Sequence, residues 1–216
     1  MTQTHVLFDL DGTLSHSEPG ILGKLVEALH ANDVPVPPVA VLRTVIGPPF
    51  AVGLPAIGVP ADRLDRVIDH YRREYTDGGG LFDTTCYEGV GEMLDRLAAA
   101  GKVLAVATSK PEDSAAMVVE HLGLTDHFAV VAGADTGAGR TDKASVIARA
   151  LELLGIEPGP RVVMVGDRVH DIDGARHHGI DTIAVAWGYG TPDEHAAAAP
   201  FAVADTPKDV VELLLG

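Results

Sequence analysis

Asp9 and Asp11, one residue apart in the segment FDLDGTL, are the side chains of this chain best spaced to do chemistry. They follow a short apolar run, His5-Val6-Leu7-Phe8, which predicts a buried strand. Residues i and i+2 of an extended chain point the same way, so both carboxyl groups leave the strand end toward one small volume. Gly12 then lets the backbone turn sharply. Two acids cannot stay ionised and unpaired there at low cost, so the site calls for a cation. The matching chemistry is metal-assisted phosphoryl transfer with a carboxylate nucleophile. Asp9 would attack phosphorus; Asp11 would protonate the leaving alkoxide and later deprotonate water. The competing reading is a plain turn in which an Asp caps backbone amides.

Matching groups recur after later strands. Thr108 and Ser109 follow the apolar run Val103–Ala107, where a hydroxyl and nearby amides suit a phosphoryl oxygen; the alternative for Thr108 is a helix N-cap. Lys143 opens a helix, against the preference of the helix dipole, which suggests that its charge faces a negative partner; the alternative is a solvated lysine. Asp167 and Asp171 stand at i and i+4 across a loop-to-helix junction and can face one point. Oxygen ligands at this density favour Mg2+ over zinc, and the ten histidines show no zinc-ligand spacing.

The elements that must position these residues alternate from Glu88 onward. A helix carrying Val90, Met93, Leu94 and Leu97 stops at Gly101, and the strand Val103–Ala107 follows. Pro111 opens a helix that runs to Gly123, and a short strand lies near 128–132. A helix over 141–154, the strand Val162–Val165, a helix over 169–178, the strand Thr182–Val185 and a closing helix over 207–215 complete the series. Near-continuous apolar strands alternating with helices predict an α/β fold, a parallel sheet with helices on both faces. Right-handed crossovers put every strand's C-terminal end on one edge, where such sheets bind ligands. The stretch 16–85 breaks the alternation with helical faces around Ile21–Leu29 and Leu64–Tyr75, punctuated by Pro and Gly. It is expected to be a helical insertion able to act as a lid.

Composition narrows the function further. The chain has 216 residues, 16 basic against 31 acidic, and a formal charge of −15, which disfavours nucleic acid or an anionic membrane as partner. Cys86 is the one cysteine, so no intramolecular disulfide forms, and it is expected to be an ordinary packed thiol. With no secretory signal or transmembrane-length apolar run, the expectation is a cytoplasmic protein acting on a small phosphorylated metabolite, as monomer or homodimer.

FDLDGTL, Thr108, Lys143 and GDRVHD, in this order on these strand ends, resemble the four motifs of the haloacid dehalogenase superfamily over essentially the whole chain. The resemblance implies a Rossmann-like core, residues 1–15 and 86–216, with a helical cap, residues 16–85. It implies Mg2+ held by the Asp9 carboxylate, the Asp11 backbone carbonyl and Asp167, with Asp171 as a further ligand or behind the ligands. An acid at position 11 suits an alkoxide leaving group, which needs a proton, better than a halide, which does not; phosphatase or phosphomutase is therefore favoured over dehalogenase. VIGPPF, YRREYTDGGGLFDTTCYEGV and GRTDKASVI look like the branch containing phosphoglycolate phosphatases and similar 5′-nucleotidases. Gly12, Ser109, Lys110 and Arg140 are the candidate substrate contacts, the last two matching basic positions common in that branch. His16 departs from the branch, which often has Asp there, and it borders the cap hinge. The expected activity is Mg2+-dependent hydrolysis of small phosphomonoesters through an aspartyl-phosphate. A 5′-nucleotidase or a sugar phosphomutase is the alternative.

Overall fold

Val6, Leu7 and Phe8 are fully buried, which makes β1 (His5–Phe8) an interior strand with both faces covered. The structure, a computed structural model, describes residues 3–216. After β1 come β2 (Ser15–His16), α1 (Glu18–Ala31), α2 (Val39–Leu42), α3 (Phe50–Ala56), α4 (Ala61–Thr76) and β3 (Thr85–Cys86). The alternating series follows: α5 (Val90–Ala99), β4 (Val103–Pro111), α6 (Glu112–His121), β5 (Val130–Ala134), α7 (Lys143–Leu154), β6 (Val162–Gly166), α8 (Val169–His177) and β7 (Asp181–Val185). The chain ends with α9 (Pro192–Ala198), β8 (Ala202–Ala204) and α10 (Pro207–Leu215).

Six strands form one parallel sheet in the order β5-β4-β1-β6-β7-β8. Leu7, Ala105, Ala107, Val162 and Met164 share the face covered by Val146, Ile147, Ala150 and Leu151 of α7. The alternate residues Val6, Phe8, Leu104, Val106, Val163 and Val165 are buried as well, so the opposite face is also closed. Sheet order reverses about β1: the chain builds outward through β4 and β5 on one side, then through β6, β7 and β8 on the other. Such a switch point opens a crevice at the C-terminal strand ends. Phe8 is level with Val106 on one side and Val165 on the other. Asp9 and Asp167 therefore leave the sheet on the same rim, with Thr108 in β4 beside them.

The described residues divide into two compact units, one up to Ser15 together with Cys86–Gly216, the other His16–Thr85. Within the second, α1 packs on α4, Tyr71 stacks on Tyr75 at 5.1 Å, and Phe50 meets Tyr71 edge-on at 4.5 Å. The Arg43 guanidinium pairs with Glu18 at 2.9 Å. Both crossings between the units fall in β2 and β3, which pair as a two-stranded ribbon.

Several boundaries differ from the sequence reading. β4 runs through Thr108 to Pro111 instead of stopping at Ala107, because its pairing with β5 resumes at Pro111 with Ala134 after a register shift. α6 accordingly starts at Glu112, with Pro111 in extended conformation at its N-cap. β5 begins at Val130, since Thr125–His127 is a turn of 3-10 helix leading into it. The short pieces α2, α3, α9 and β8 escape periodicity, each spanning seven residues or fewer. Among the described residues no helix is long and apolar enough to cross a membrane.

Candidate active site

The loop after β1 winds tightly on one carbonyl. Leu10 O accepts from Leu14 N at 3.0 Å, Ser15 N at 2.9 Å and the Ser15 hydroxyl at 3.2 Å. Asp9 N is itself anchored to Val165 O at 2.9 Å, which ties the loop to β6. Gly12 takes φ +90°, where a side chain is strained, and a Cβ there would collide with the Asp167 carboxylate. Its lack of a side chain lets loop 9–15 lie directly against Asp167.

Asp9, Asp167 and Asp171 converge: each offers a carboxylate oxygen, and these oxygens all lie within 4.8 Å of one another. All three residues are buried. Lys143 joins them from the first position of α7. Its ammonium lies 2.6 Å from Asp9 Oδ1, 2.7 Å from Asp171 Oδ1 and 3.0 Å from Ala107 O. The contacts to Asp9 and Ala107 O are hydrogen bonds, and the approach to Asp171 is an ion pair. The helix start needs nothing from Lys143, because Asp142 caps it, accepting from Ser145 N at 2.8 Å.

The electrostatics follow from burial. Burial first, then the neighbouring Asp171 charge, pushes the Asp9 carboxyl up to about 6 against the pull of Lys143. Burial, Asp171 and Asp9 together hold Asp167 well above the usual carboxylate range. Burial alone would lower the Lys143 ammonium; Asp171 and Asp9 outweigh it and raise it instead. Fully ionised, the three carboxylates beside the one ammonium would carry an excess of two negative charges. That donor set, hard oxygen with a double excess charge, fits a divalent cation.

Asp11 stands beside this cluster with a partner of its own. Lys110 Nζ lies 2.9 Å from Asp11 Oδ2, while Asp11 Oδ1 is buried and meets no hydrogen-bond donor among the described residues. Thr108 is buried inside β4 and its hydroxyl accepts from Lys110 N at 3.3 Å, so it is not the cap of α6. Ser109 follows it in β4, half-buried. Arg140 is engaged elsewhere. Its Nε donates to Gly133 O at 2.7 Å and its Nη2 pairs with Glu112 at 3.1 Å, which fastens the 135–140 turn to the start of α6. His16 lies half-buried in β2.

The sequence reading overlooked the segment after β7. Tyr189 N donates to Asp167 Oδ2 at 2.6 Å, and Trp187 Nε1 donates to Thr13 O at 3.0 Å. His195, buried, bonds Asp167 O at 2.6 Å, and Glu194 bonds Val169 N at 2.7 Å. A usable signal was present in Gly188-Tyr189-Gly190 followed by Thr191-Pro192, a turn and a helix start placed just past a strand on the same rim.

Known proteins are similar to this chain in sequence. The profile of a family described as haloacid dehalogenase-like hydrolase matches residues 6–185. The tyrosine-protein kinase PtkA of Mycobacterium tuberculosis is 44% identical over 87% of this chain, which spans only 64% of that relative's length. A 5′-nucleotidase of Pseudomonas aeruginosa is 34% identical over 91% of this chain and 88% of its own. A phosphoglycolate phosphatase of Mesorhizobium japonicum is 34% identical over 88% and 85%.

Proposed function

The chain belongs to the haloacid dehalogenase-like hydrolase family, and from that membership we propose that it is a Mg2+-dependent phosphatase of small phosphomonoesters working through an aspartyl-phosphate on Asp9. One observation carries the reading: the Asp9, Asp167 and Asp171 carboxylates converge, and the single Lys143 ammonium, paired with Asp9 and Asp171, leaves them a formal double negative charge in excess. Asp9 and Asp167 would hold the cation, with Asp171 beside them. When bound, the cation supplies positive charge for the phosphoryl oxygens and keeps Asp9 ionised.

The chain's own residues do the rest. An Asp9 oxygen attacks phosphorus, the ester P–O bond breaks, and Asp11 gives its proton to the departing alkoxide. Water then attacks the same phosphorus, Asp11 takes a proton from it, and the acyl-phosphate bond breaks to free Asp9 and inorganic phosphate. Lys143 neutralises the charge that builds between Asp9 and the phosphoryl group. The Thr108 hydroxyl, on the rim beside Ala107, is the donor for a phosphoryl oxygen. Lys110, paired with Asp11, stands where the leaving group departs and is the residue best placed to meet an anionic substituent on it.

Phosphoglycolate is the preferred substrate, because Lys110 matches a second anionic group close to the ester. Nucleoside monophosphates are the alternative, in keeping with the 5′-nucleotidase relative. The kinase name of the 44%-identical relative raises a third reading, in which a tyrosine hydroxyl takes the place of water as acceptor. One experiment addresses all of these. Phosphate release is measured from phosphoglycolate, nucleoside monophosphates, hexose phosphates and pyrophosphate, with and without EDTA, beside a tyrosine-peptide phosphorylation assay with ATP. Phosphoglycolate turnover that stops on chelation and returns with Mg2+ is expected. Absence of phosphate release from every monoester, or peptide labelling without hydrolysis, overturns the reading.

A further inference from the structure

Two consecutive peptide groups after β6 are gripped by two consecutive residues of α9. The first joins Asp167 to Arg168. Its carbonyl accepts from His195 Nε2 at 2.6 Å, and its N–H donates to Asp171 Oδ2 at 3.0 Å. The second joins Arg168 to Val169. Its N–H donates to Glu194 Oε1 at 2.7 Å, and the same oxygen accepts from Arg168 Nε at 3.0 Å. A peptide group is planar, so any turn of the Asp167 carbonyl turns the Arg168 N–H with it. His195 therefore sets the direction of the donor that aims the Asp171 carboxylate, although it touches no carboxylate itself. A carbonyl only accepts, so the His195 ring carries its proton on Nε2.

The grip is built with little tolerance. His195 is 4% exposed. A Cβ on Gly190 would collide with Asp167 O and stand 2.6 Å from His195 Nε2, in the path of the bond. The Asp167 carboxylate is meanwhile held from the same segment by Tyr189 N at 2.6 Å. The segment after β7 thus makes four hydrogen bonds to the Asp167–Asp171 loop and contributes no carboxylate to the cluster.

We propose that Glu194 and His195 are positioning residues for the divalent-cation site, fixing the two peptide groups on which the placement of Asp167 and Asp171 depends. This rests on reading Asp9, Asp167 and Asp171 as that site. Groups that orient metal ligands from behind typically cost ~10–100-fold in metal affinity when removed. A helix serving only as packing would lower global stability without that loss.

The test uses the full chain, stripped with EDTA, and titrates Mg2+ calorimetrically without substrate. Amide hydrogen exchange at residues 168–171 is followed in the metal-free protein, and thermal unfolding is recorded for each variant. His195→Leu and Glu194→Ala are expected to weaken Mg2+ binding by about 10–100-fold and to speed exchange at 168–171. His195→Gln, which offers an amide N–H of similar reach to the Asp167 carbonyl, recovers most of the affinity. Folded His195→Leu protein with native Mg2+ affinity, or equal losses in the Gln and Leu variants, overturns the proposal. If His195→Leu does not fold, Glu194→Ala decides, its position being half-buried: native affinity and native exchange overturn the proposal. A wild-type protein that binds no divalent cation would instead remove the metal reading, and the exchange data would still judge the grip on the loop.

Discussion

Lys143 Nζ lies 2.6 Å from Asp9 Oδ1 across 134 positions of sequence; it also donates to Ala107 O and forms an ion pair with Asp171. One buried ammonium thus couples the end of β1, the middle of β4 and the start of α8. It neutralises part of the acid cluster and leaves the remainder for a cation.

Removing that ammonium strands two buried carboxylates. Lys143→Met is expected to destabilise the metal-free protein by about 3–5 kcal/mol, the usual cost of breaking a buried pair from one side. Mg2+ should recover part of the loss by supplying the missing positive charge. Urea unfolding in EDTA and in Mg2+ measures both; a variant as stable as wild type in EDTA would show that the carboxylates do not depend on Lys143.

Asp9→Asn keeps the shape of the side chain and removes the nucleophile. Turnover is expected to fall about 10⁴-fold or more, with the fold retained by circular dichroism. Activity near the wild-type level would exclude an acyl-phosphate on Asp9.

The raised Asp9 carboxyl, at about 6 against an ordinary 3.8, gives a pH dependence of definite sign. Between those values the native state binds the proton more tightly than the unfolded state. The resulting stabilisation is complete below the unfolded value and is lost as pH rises through about 6. Asp167, also raised, adds in the same direction. Metal-free wild type should therefore lose Tm relative to Asp9→Asn as pH rises from about 4 to about 7. Mg2+ competes with that proton, so its affinity should climb over the same interval and its binding should release protons. Calorimetry in two buffers of different ionisation enthalpy counts them; pH-independent affinity across that interval would contradict the shift.

Gly12→Ala places a methyl group against the Asp167 carboxylate and 2.8 Å from the Tyr189 ring, at a backbone angle of φ +90°. The backbone strain alone costs about 1–3 kcal/mol. A lower Tm together with weaker Mg2+ binding is expected, because the displaced group is a proposed ligand. A fall in Tm with native Mg2+ affinity would mean that Asp167 can move without consequence for the site.

Much of the rim was legible because its residues follow strands whose character is local. Phe8, Ala107 and Val165 end apolar runs, and parallel pairing, with Phe8 level with Val106 and Val165, brings the groups after them to one edge. The exposed-lysine and helix-cap alternatives at Lys143 and Thr108 could be rejected only in three dimensions. There Lys143 is buried between two carboxylates, and Thr108 lies inside a strand that continues past it. Arg140 carries the right charge for an anionic substrate, yet its guanidinium is committed to Glu112 and Gly133 O.

The sequence alone determined the alternation of strands and helices, the order of the acidic and basic groups, and a chemistry in which crowded carboxylates need a cation. Those features depend on spacing within a few residues, where periodicity and side-chain type are sufficient. Tertiary structure alone decided that Asp171 shares the Lys143 ammonium with Asp9, that Lys110 pairs with Asp11, and that Glu194 and His195 hold the Asp167 loop. Each is a contact between distant segments, made through single hydrogen bonds and backbone groups, and neither leaves a period in the chain.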